Sequence, residues 1–343
     1  MRFVDLRSDT VTIADDAMRE VIAQAEVGDD VFHEDPTVNR LQEMSAEITG
    51  KEAGLFVPSG SMGNLICLMV HTEKGDEIYL GRQDHIFMYE AASAAVVAGV
   101  QHRIFENRED GTLDLDEVAF AQRTDDAHQP RSRLISMENT HNRCSGSPLP
   151  LDYMAKVREF AGERGLGVHL DGARVFNAAL ALDTSVADVC SYADSVTFCL
   201  SKGLGAPVGS VVCGSKEFIY QAHRARKLLG GGMRQVGHLA AAGIFALENR
   251  VERLAEDHAN AKRLAEGLSA MDAIDCDASL YKSNIVYFEL AGDRDPHDFV
   301  KAMAKRGVRF FNLWAKRFRL VTHYGVSADD VELALEEFKK ELE

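Results

Sequence analysis

Ser195-Val-Thr-Phe-Cys-Leu-Ser-Lys202-Gly203-Leu-Gly205 reads as a short apolar strand that carries one lysine into a glycine-rich turn. A run that stays apolar, without alternation, belongs to a strand buried on both faces, as in a parallel sheet. Outward from it, between about residue 50 and residue 215, similar runs recur at Gly54–Val57, Glu77–Leu80, Val100–Phe105, Arg133–Met137, Gly167–Leu170 and Ser210–Cys213, separated by helical stretches. This alternation predicts an α/β large domain with a mostly parallel sheet. Further on, apolar residues at 244, 247, 251, 254, 261, 264 and 268 predict one long amphipathic helix leading out of that domain. A strand at Ile285–Leu290, a helix from about Pro296, strands near Val308–Phe310 and Phe318–Thr322 and a last helix from about Ser327 predict a smaller α+β domain. The division expected is residues 1–243, an N-terminal arm with the large domain, and residues 244–343, the linking helix with the small C-terminal domain.

At 343 residues the chain buries a large core, and 46% hydrophobic with 27% charged residues is ordinary for a globular enzyme. No apolar run approaches the roughly 20 residues of a membrane span, and the opening Met-Arg-Phe-Val-Asp-Leu-Arg-Ser-Asp lacks a signal-peptide pattern. The expected location is the cytoplasm. A net charge of −16 argues against nucleic acid and anionic membranes as partners. The six cysteines show no metal-ligand spacing and read as buried free thiols, with Cys144, in a polar loop, the reactive one. Asp9, Asp29, Asp30 and Asp35 read as solvated loop carboxylates, and no metal is assigned. The acidic run Glu332–Glu343 reads as one solvated face of the last helix.

Three strand ends carry chemistry. Lys202 leaves its strand into a partly desolvating turn, which favours the neutral amine that attacks carbonyls. Gly167-Val-His-Leu-Asp171-Gly-Ala-Arg174 ends a second strand in a carboxylate, and in an open parallel sheet both side chains face the crevice at the strands' carboxyl ends. Leu55-Phe-Val-Pro-Ser59-Gly60-Ser61-Met-Gly63-Asn64 is a strand, a small-residue turn and a helix expected to begin near Asn64, so Ser59, Gly60 and Ser61 form an anion cup at a helix start. A phosphate cup, an aspartate and a lysine in that order suit pyridoxal 5'-phosphate: the lysine bonds its aldehyde, the aspartate keeps its ring nitrogen protonated, and the cup holds its phosphate.

With these residues the chain resembles the low-specificity L-threonine aldolases of the aspartate-aminotransferase-like, fold type I pyridoxal-phosphate superfamily. The matching segments are Asp5-Leu-Arg-Ser-Asp-Thr-Val-Thr12, Glu26-Val-Gly-Asp-Asp-Val31, Phe56-Val-Pro-Ser-Gly60, Glu138-Asn-Thr-His-Asn142, His169-Leu-Asp-Gly-Ala-Arg174, Cys199-Leu-Ser-Lys-Gly-Leu-Gly-Ala-Pro-Val-Gly209, Gly230-Gly-Gly-Met-Arg-Gln235 and Arg319-Leu-Val-Thr-His323. The resemblance implies retro-aldol cleavage of L-threonine or L-allo-threonine to glycine and acetaldehyde. It makes Lys202 the cofactor lysine, Asp171 the partner of the ring nitrogen and His85 the residue stacked on the ring. Gly60 and Ser61, with Ser59, hold the phosphate, and Lys227 and Arg234 reach a phosphate across a subunit interface. That implies a homo-oligomer built from dimers that share active sites, with a tetramer as the full assembly. Ser8, Arg174 and Arg319 grip the substrate carboxylate, Arg174 alternatively serving as a helix-start salt bridge. His85, His128 and a bound water are the candidate bases for the β-hydroxyl. His141 and His323 lie in matching motifs or simply bridge loops, and Phe310–Lys316 reads as a variable connection. The other outcomes open to the same apparatus are β-elimination, racemisation and transamination; the remaining alternative is a non-catalytic protein that kept the fold.

Overall fold

The computed structural model describes residues 3–343. Met1 and Arg2, which open the stretch weighed against a signal peptide, lie outside the described residues. In chain order the strands are β1 (Val4–Asp5), β2 (Ala53–Val57), β3 (Glu77–Gly81), β4 (Gln101–Phe105), β5 (Ser132–Glu138), β6 (Gly167–Asp171), β7 (Ser195–Cys199), β8 (Ser210–Gly214), β9 (Ile274–Asp275), β10 (Ile285–Leu290), β11 (Val308–Arg309), β12 (Phe311–Trp314) and β13 (Arg317–Val321). Among the described residues β2 to β8 form one seven-stranded sheet of order β2-β8-β7-β6-β5-β3-β4. It is parallel from β7 through β4, while β8 runs antiparallel to both β2 and β7. The mostly parallel large sheet expected from the apolar runs is therefore present.

The inner strands are largely apolar because helices cover both faces, while the edge strand β4, Gln-His-Arg-Ile-Phe, is only partly buried. Every residue of β3, β7 and β8 is buried. Phe56, Phe198, Val211 and Leu170 have no exposed surface, and burying side chains of this size stabilises by about 1.5–3 kcal/mol each. The chain leaves β7, turns through residues 200–209 and returns as β8 beside it. Gly205 and Gly209 make that reversal with φ of +77° and +104°, and a Cβ on either would lie 2.7 Å from the Tyr324 ring or 2.5 Å from the Phe56 ring. This tight reversal sets Lys202 at the carboxyl end of the parallel strands.

A second core gathers Phe288, Phe299, Phe310, Phe318 and Phe338. Phe288 stacks on Phe318 with centroids 4.9 Å apart, a geometry that adds to area burial. Around it lies the sheet β12-β13-β10-β9. β1 pairs in parallel with β11, and Val4 and Leu6 belong to this core. The N-terminal arm thus packs with the C-terminal unit, tied by the Val321 N–H to Leu6 O (2.9 Å) and by His323 Nε2 to Asp5 O (2.8 Å). That places Ser8 and Asp9 where the two units meet.

Four expectations are corrected. The helix expected from 244 to 268 is two, Gly237–Asn249 and Leu254–Ser269. Asn249 Nδ2 turns back to Phe245 O and Arg250 to Asp15, so the chain bends there although the apolar spacing continues. The first of these helices spans the boundary drawn at 243/244. The helix expected near Asn64 starts at Gly60, capped by Ser59, whose hydroxyl accepts from the Met62 N–H at 3.2 Å. Phe310–Lys316 is no loose connection: β12 and β13 form a hairpin, with Ala315 at φ +46° in its turn. The aspartates of the N-terminal segment are not a solvated cluster either. Asp9, Asp30 and Asp35 are buried, each on its own partner: Asp9 on Arg174, Asp30 on Arg226, Asp35 at a helix start with the Gly237 N–H. Burial tolerates a carboxylate that is paired with a charge or satisfied by hydrogen bonds, and each of the three is.

Candidate active site

Asp171, the last residue of β6, is 3% exposed. Its Oδ1 accepts the Ala173 N–H at 3.1 Å and its Oδ2 the Asn64 Nδ2 at 2.9 Å. Lys202 stands half-buried in the turn after β7; its carbonyl accepts Thr12 Oγ1 at 3.2 Å, and its charge acts on both Asp9 and His85. His85 begins the short helix His85–Met88. Its backbone N–H donates to Glu138 Oε2 at 2.6 Å and its ring Nδ1 pairs with Glu90 Oε1 at 2.8 Å. One ring nitrogen of His85 and one carboxylate oxygen each of Glu90 and Asp171 lie within 4.8 Å of one another. Ser59, Gly60 and Ser61 occupy the N-terminus of helix Gly60–His71, whose first N–H groups lack helical partners. A Cβ on Gly60 would lie 2.9 Å from Cys199 Sγ, so a glycine is needed where this turn meets the end of β7. A cavity of about 370 Å³ lined by Ser61, Met62, Leu65, Tyr89 and Glu90 opens beside the cup.

Burial works against a charged His85, but the hydrogen bond to Glu90 and the charges of Asp171 and Glu138 outweigh it and raise its pKa. Glu90 is itself raised by burial and by the Asp171 charge. With Nδ1–H given to Glu90, the lone pair of His85 sits on Nε2, the free edge of a ring whose side chain is 31% exposed.

The carboxylate grip is divided differently from expectation. Arg174, 6% exposed, donates from Nε to Asp9 Oδ2 (2.8 Å) and from Nη2 to Asp9 Oδ1 (2.6 Å), the salt-bridge alternative. Two of its three nitrogens are thereby committed and its charge is matched. Arg319 is buried as well, yet its partners are neutral: Nη1 donates to Asn142 Oδ1 at 2.7 Å, Nη2 to Arg7 O at 3.1 Å, and the buried Nε has no partner. Among the described residues no carboxylate pairs with Arg319. Burial lowers its pKa, and a guanidinium in that state calls for an anion. Ser8 lies beside the pair, its Oγ 3.5 Å from Asp9 Oδ1 and accepting the Thr10 N–H at 3.2 Å.

Other expected residues fall outside this cluster. His128 is on an exposed loop, bonded to Asp126 at 2.8 Å. That loop leads into the amino end of β5, whereas Asp171 and Lys202 are at carboxyl ends, so within one chain His128 is at the wrong edge of the sheet. Lys227 and Arg234 are exposed, Arg234 pairing with Asp29 at 2.9 Å, and Lys227 lines a separate basic cavity of about 310 Å³ with His223, Arg224 and Arg226. Cys144 is buried rather than reactive, its backbone N–H donating to His141 Nδ1 at 3.3 Å; among the described residues all six thiols are free and buried. His141 ties loops together: its Nε2 meets Asp84 Oδ1 at 2.9 Å, and with Glu138 these groups find protein partners for their polar atoms, so the three form a structural clasp. Asn64, Glu90, Asp9 and Asn142 were given no role in the site from the sequence. Glu90 had one available signal, a carboxylate five residues after His85.

The segment from residue 5 to residue 291 matches the family model described as beta-eliminating lyase. The chain belongs to the beta-eliminating lyase family. This lyase is 46% identical to a probable low-specificity L-threonine aldolase of Arabidopsis thaliana, over 99% of this chain and 97% of that one. It is 45% identical to the low specificity L-threonine aldolase of Escherichia coli, over 96% of each. Among solved structures it superposes on a putative L-allo-threonine aldolase from Listeria monocytogenes with TM-score 0.81 at 20% identity, covering 98% of this chain and 96% of that one. A Leishmania major threonine aldolase gives 0.82 at 18% identity, covering 99% of each. At those identities the superpositions establish the shared fold.

The donor set of the lyase fits pyridoxal 5'-phosphate. A helix start whose first N–H groups have no helical partner, with two hydroxyls, suits its phosphate, a buried carboxylate braced at both oxygens suits a protonated ring nitrogen, and a half-buried amine suits its aldehyde.

Proposed function

We propose that this chain is a carbon–carbon lyase that, with pyridoxal 5'-phosphate, cleaves L-threonine and L-allo-threonine to glycine and acetaldehyde. The observation that carries the reading is Arg319, a buried guanidinium without a carboxylate among the described residues, whose charge interacts with that of Asp9 as that of Lys202 does. The names of the Arabidopsis and Escherichia coli relatives, at near-complete coverage, support the same substrate.

Arg319 holds the amino-acid carboxylate, with Ser8 and the uncommitted Nη1 of Arg174 beside it, and so fixes the rotation of the Cα–Cβ bond. When bound, the cofactor supplies the electron sink that takes the bonding pair from that bond. Asp171 keeps the ring nitrogen protonated. His85 Nε2 takes the β-hydroxyl proton as the carbonyl of acetaldehyde forms, and a proton returned to Cα completes glycine. His85 serves as the base in this reading because its ring is oriented by Glu90 and stands at the site. The assay that tests the function is acetaldehyde release from both threonine diastereomers, followed through alcohol dehydrogenase; no aldehyde from either rejects it.

His85 acts as a base when neutral, so activity rises with pH through its raised pKa. Glu90→Gln replaces the carboxylate whose hydrogen bond helps raise it, and the rising limb of kcat/KM moves to lower pH. A limb that stays in place removes Glu90 from this role.

Lys227 and Arg234, exposed on the outer face, complete the phosphate site of a neighbouring subunit in this reading, with a dimer as the smallest active unit and a tetramer as the assembly. Exposed Phe32, Leu228 and Val96 support such a contact. Arg234→Ala weakens cofactor binding by on the order of tenfold to a hundredfold, the worth of a charge-assisted hydrogen bond. Equilibrium dialysis checks it, and full activity in a species monomeric by light scattering rejects the shared site. We read the location as the cytoplasm: among the described residues no helix is long and apolar enough to cross a membrane, and six free thiols suit a reducing compartment.

A further inference from the structure

Two carboxylates of the site are served by one side chain. Asn64, 2% exposed, has Nδ2 at 2.9 Å from Asp171 Oδ2 and at 2.9 Å from Glu90 Oε1. An amide nitrogen has two hydrogens, and here each goes to a different carboxylate. Ionised carboxylates only accept, so the amide oxygen must face away from them. There it meets His169 Nε2 at 3.1 Å, which must carry the hydrogen. His169 Nδ1 is then an acceptor and takes the Ser195 hydroxyl at 2.9 Å, and Ser195 Oγ in turn meets His71 Nε2 at 2.7 Å. Burial, together with the neighbouring His71, pushes the His169 pKa down to about 3, and burial takes His71 down to about 4. Both rings therefore stay neutral, each with a single proton to place. The direction of every hydrogen bond from His71 to Asp171 is then determined, and a flipped Asn64 would set its oxygen against two carboxylates.

We propose that Asn64 is a positioning residue that fixes the Asp171 carboxylate against the cofactor's ring nitrogen and couples it to the Glu90–His85 pair, with His169, Ser195 and His71 locking the orientation of its amide. The inference rests on the reading that Asp171 faces that nitrogen. Without Asn64, Asp171 keeps one donor, the Ala173 N–H on its other oxygen, and is free to turn about it. His85, Glu90 and Glu138, the charged groups around Asp171, stay in place in the variant, and Glu90 loses with Asp171 the Asn64 hydrogen bond that lowers its pKa.

The test is the pH titration of the visible absorption of the cofactor-loaded protein, with steady-state kinetics on threonine beside it. Asn64→Leu keeps the branching of the side chain and removes both donors. It shifts the midpoint by about one pH unit, the worth of a hydrogen bond to a charged group, and lowers kcat more than it changes KM. Ser195→Ala, which unlocks the His169 tautomer at a distance, shifts the midpoint the same way by less, and Ser195→Thr restores it. An unchanged midpoint in Asn64→Leu overturns the proposal; should that variant fail to fold, an unchanged midpoint in Ser195→Ala overturns it. Asp171→Asn separates the two readings. No shift there sinks the placement of Asp171, while a shift there without one in Asn64→Leu sinks only the role of the amide.

Discussion

Lys202→Ala gives a folded protein that stays colourless with pyridoxal phosphate and loses turnover by on the order of 10⁵-fold, the scale on which a positioned nucleophile outperforms one in solution. The fold survives because the turn is held by its backbone: Lys202 O accepts from Thr12 Oγ1 and from the Gly205 N–H at 2.9 Å, and neither bond needs the amine. The glycines that reverse the chain into β8 are untouched. The measurement is absorption in the visible range and single-turnover kinetics on threonine, with circular dichroism as the control for folding. A yellow Lys202→Ala protein with turnover within tenfold of the parent would remove this lysine from the chemistry.

Asp9→Ala has the second large effect, and it falls on stability as well as on activity. Asp9 has no exposed surface and its partner Arg174 is 6% exposed, so the substitution leaves a buried guanidinium unmatched at a cost of about 3–5 kcal/mol. Burial alone would raise the Asp9 carboxyl. The charge and hydrogen bonds of Arg174, with Lys202 and Asn284 adding to them, hold it well below the usual carboxylate range. Because the folded pKa is depressed below the ordinary value of 3.8, the pair's stabilisation is present above that value and is lost as pH falls through the folded one. Denaturant unfolding at neutral pH measures the loss, and the difference between parent and variant shrinks in strong acid. Asp9→Leu combined with Arg174→Met, an apolar replacement of the whole pair, recovers most of the stability but not the activity. Equal stability of Asp9→Ala and the parent would show that the pair is not a buried ion pair in solution.

The parts of this molecule that were readable in its sequence are those whose physics is local. β3, β7 and β8 are buried along their whole length, so their apolar runs needed no knowledge of neighbours. Asp171 and Lys202 ended such runs, and the rule that ligands meet the carboxyl ends of parallel strands brought them together. The Asp9–Arg174 pair spans 165 residues of sequence, and no local pattern announces it. Asn64 was seen as the start of a helix, when it lies one turn inside it with its amide between two carboxylates from other elements. His128 was carried by resemblance to a loop, and only the direction of β5 shows which edge of the sheet that loop occupies. The break at Asn249–Arg250 was hidden because an apolar stripe can continue across a bend made by polar side chains. Likewise β1 is two residues long and shows itself only through its pairing with β11.

In the proposed reaction the bond broken is Cα–Cβ and not the Cβ–oxygen bond that a β-elimination would break. Carbon-13 magnetic resonance of uniformly labelled L-threonine, incubated with the cofactor-loaded protein, tests this most directly. Cleavage of Cα–Cβ gives glycine and acetaldehyde in equal amounts with no ammonia released. Formation of 2-oxobutanoate with an equivalent of ammonia would contradict it.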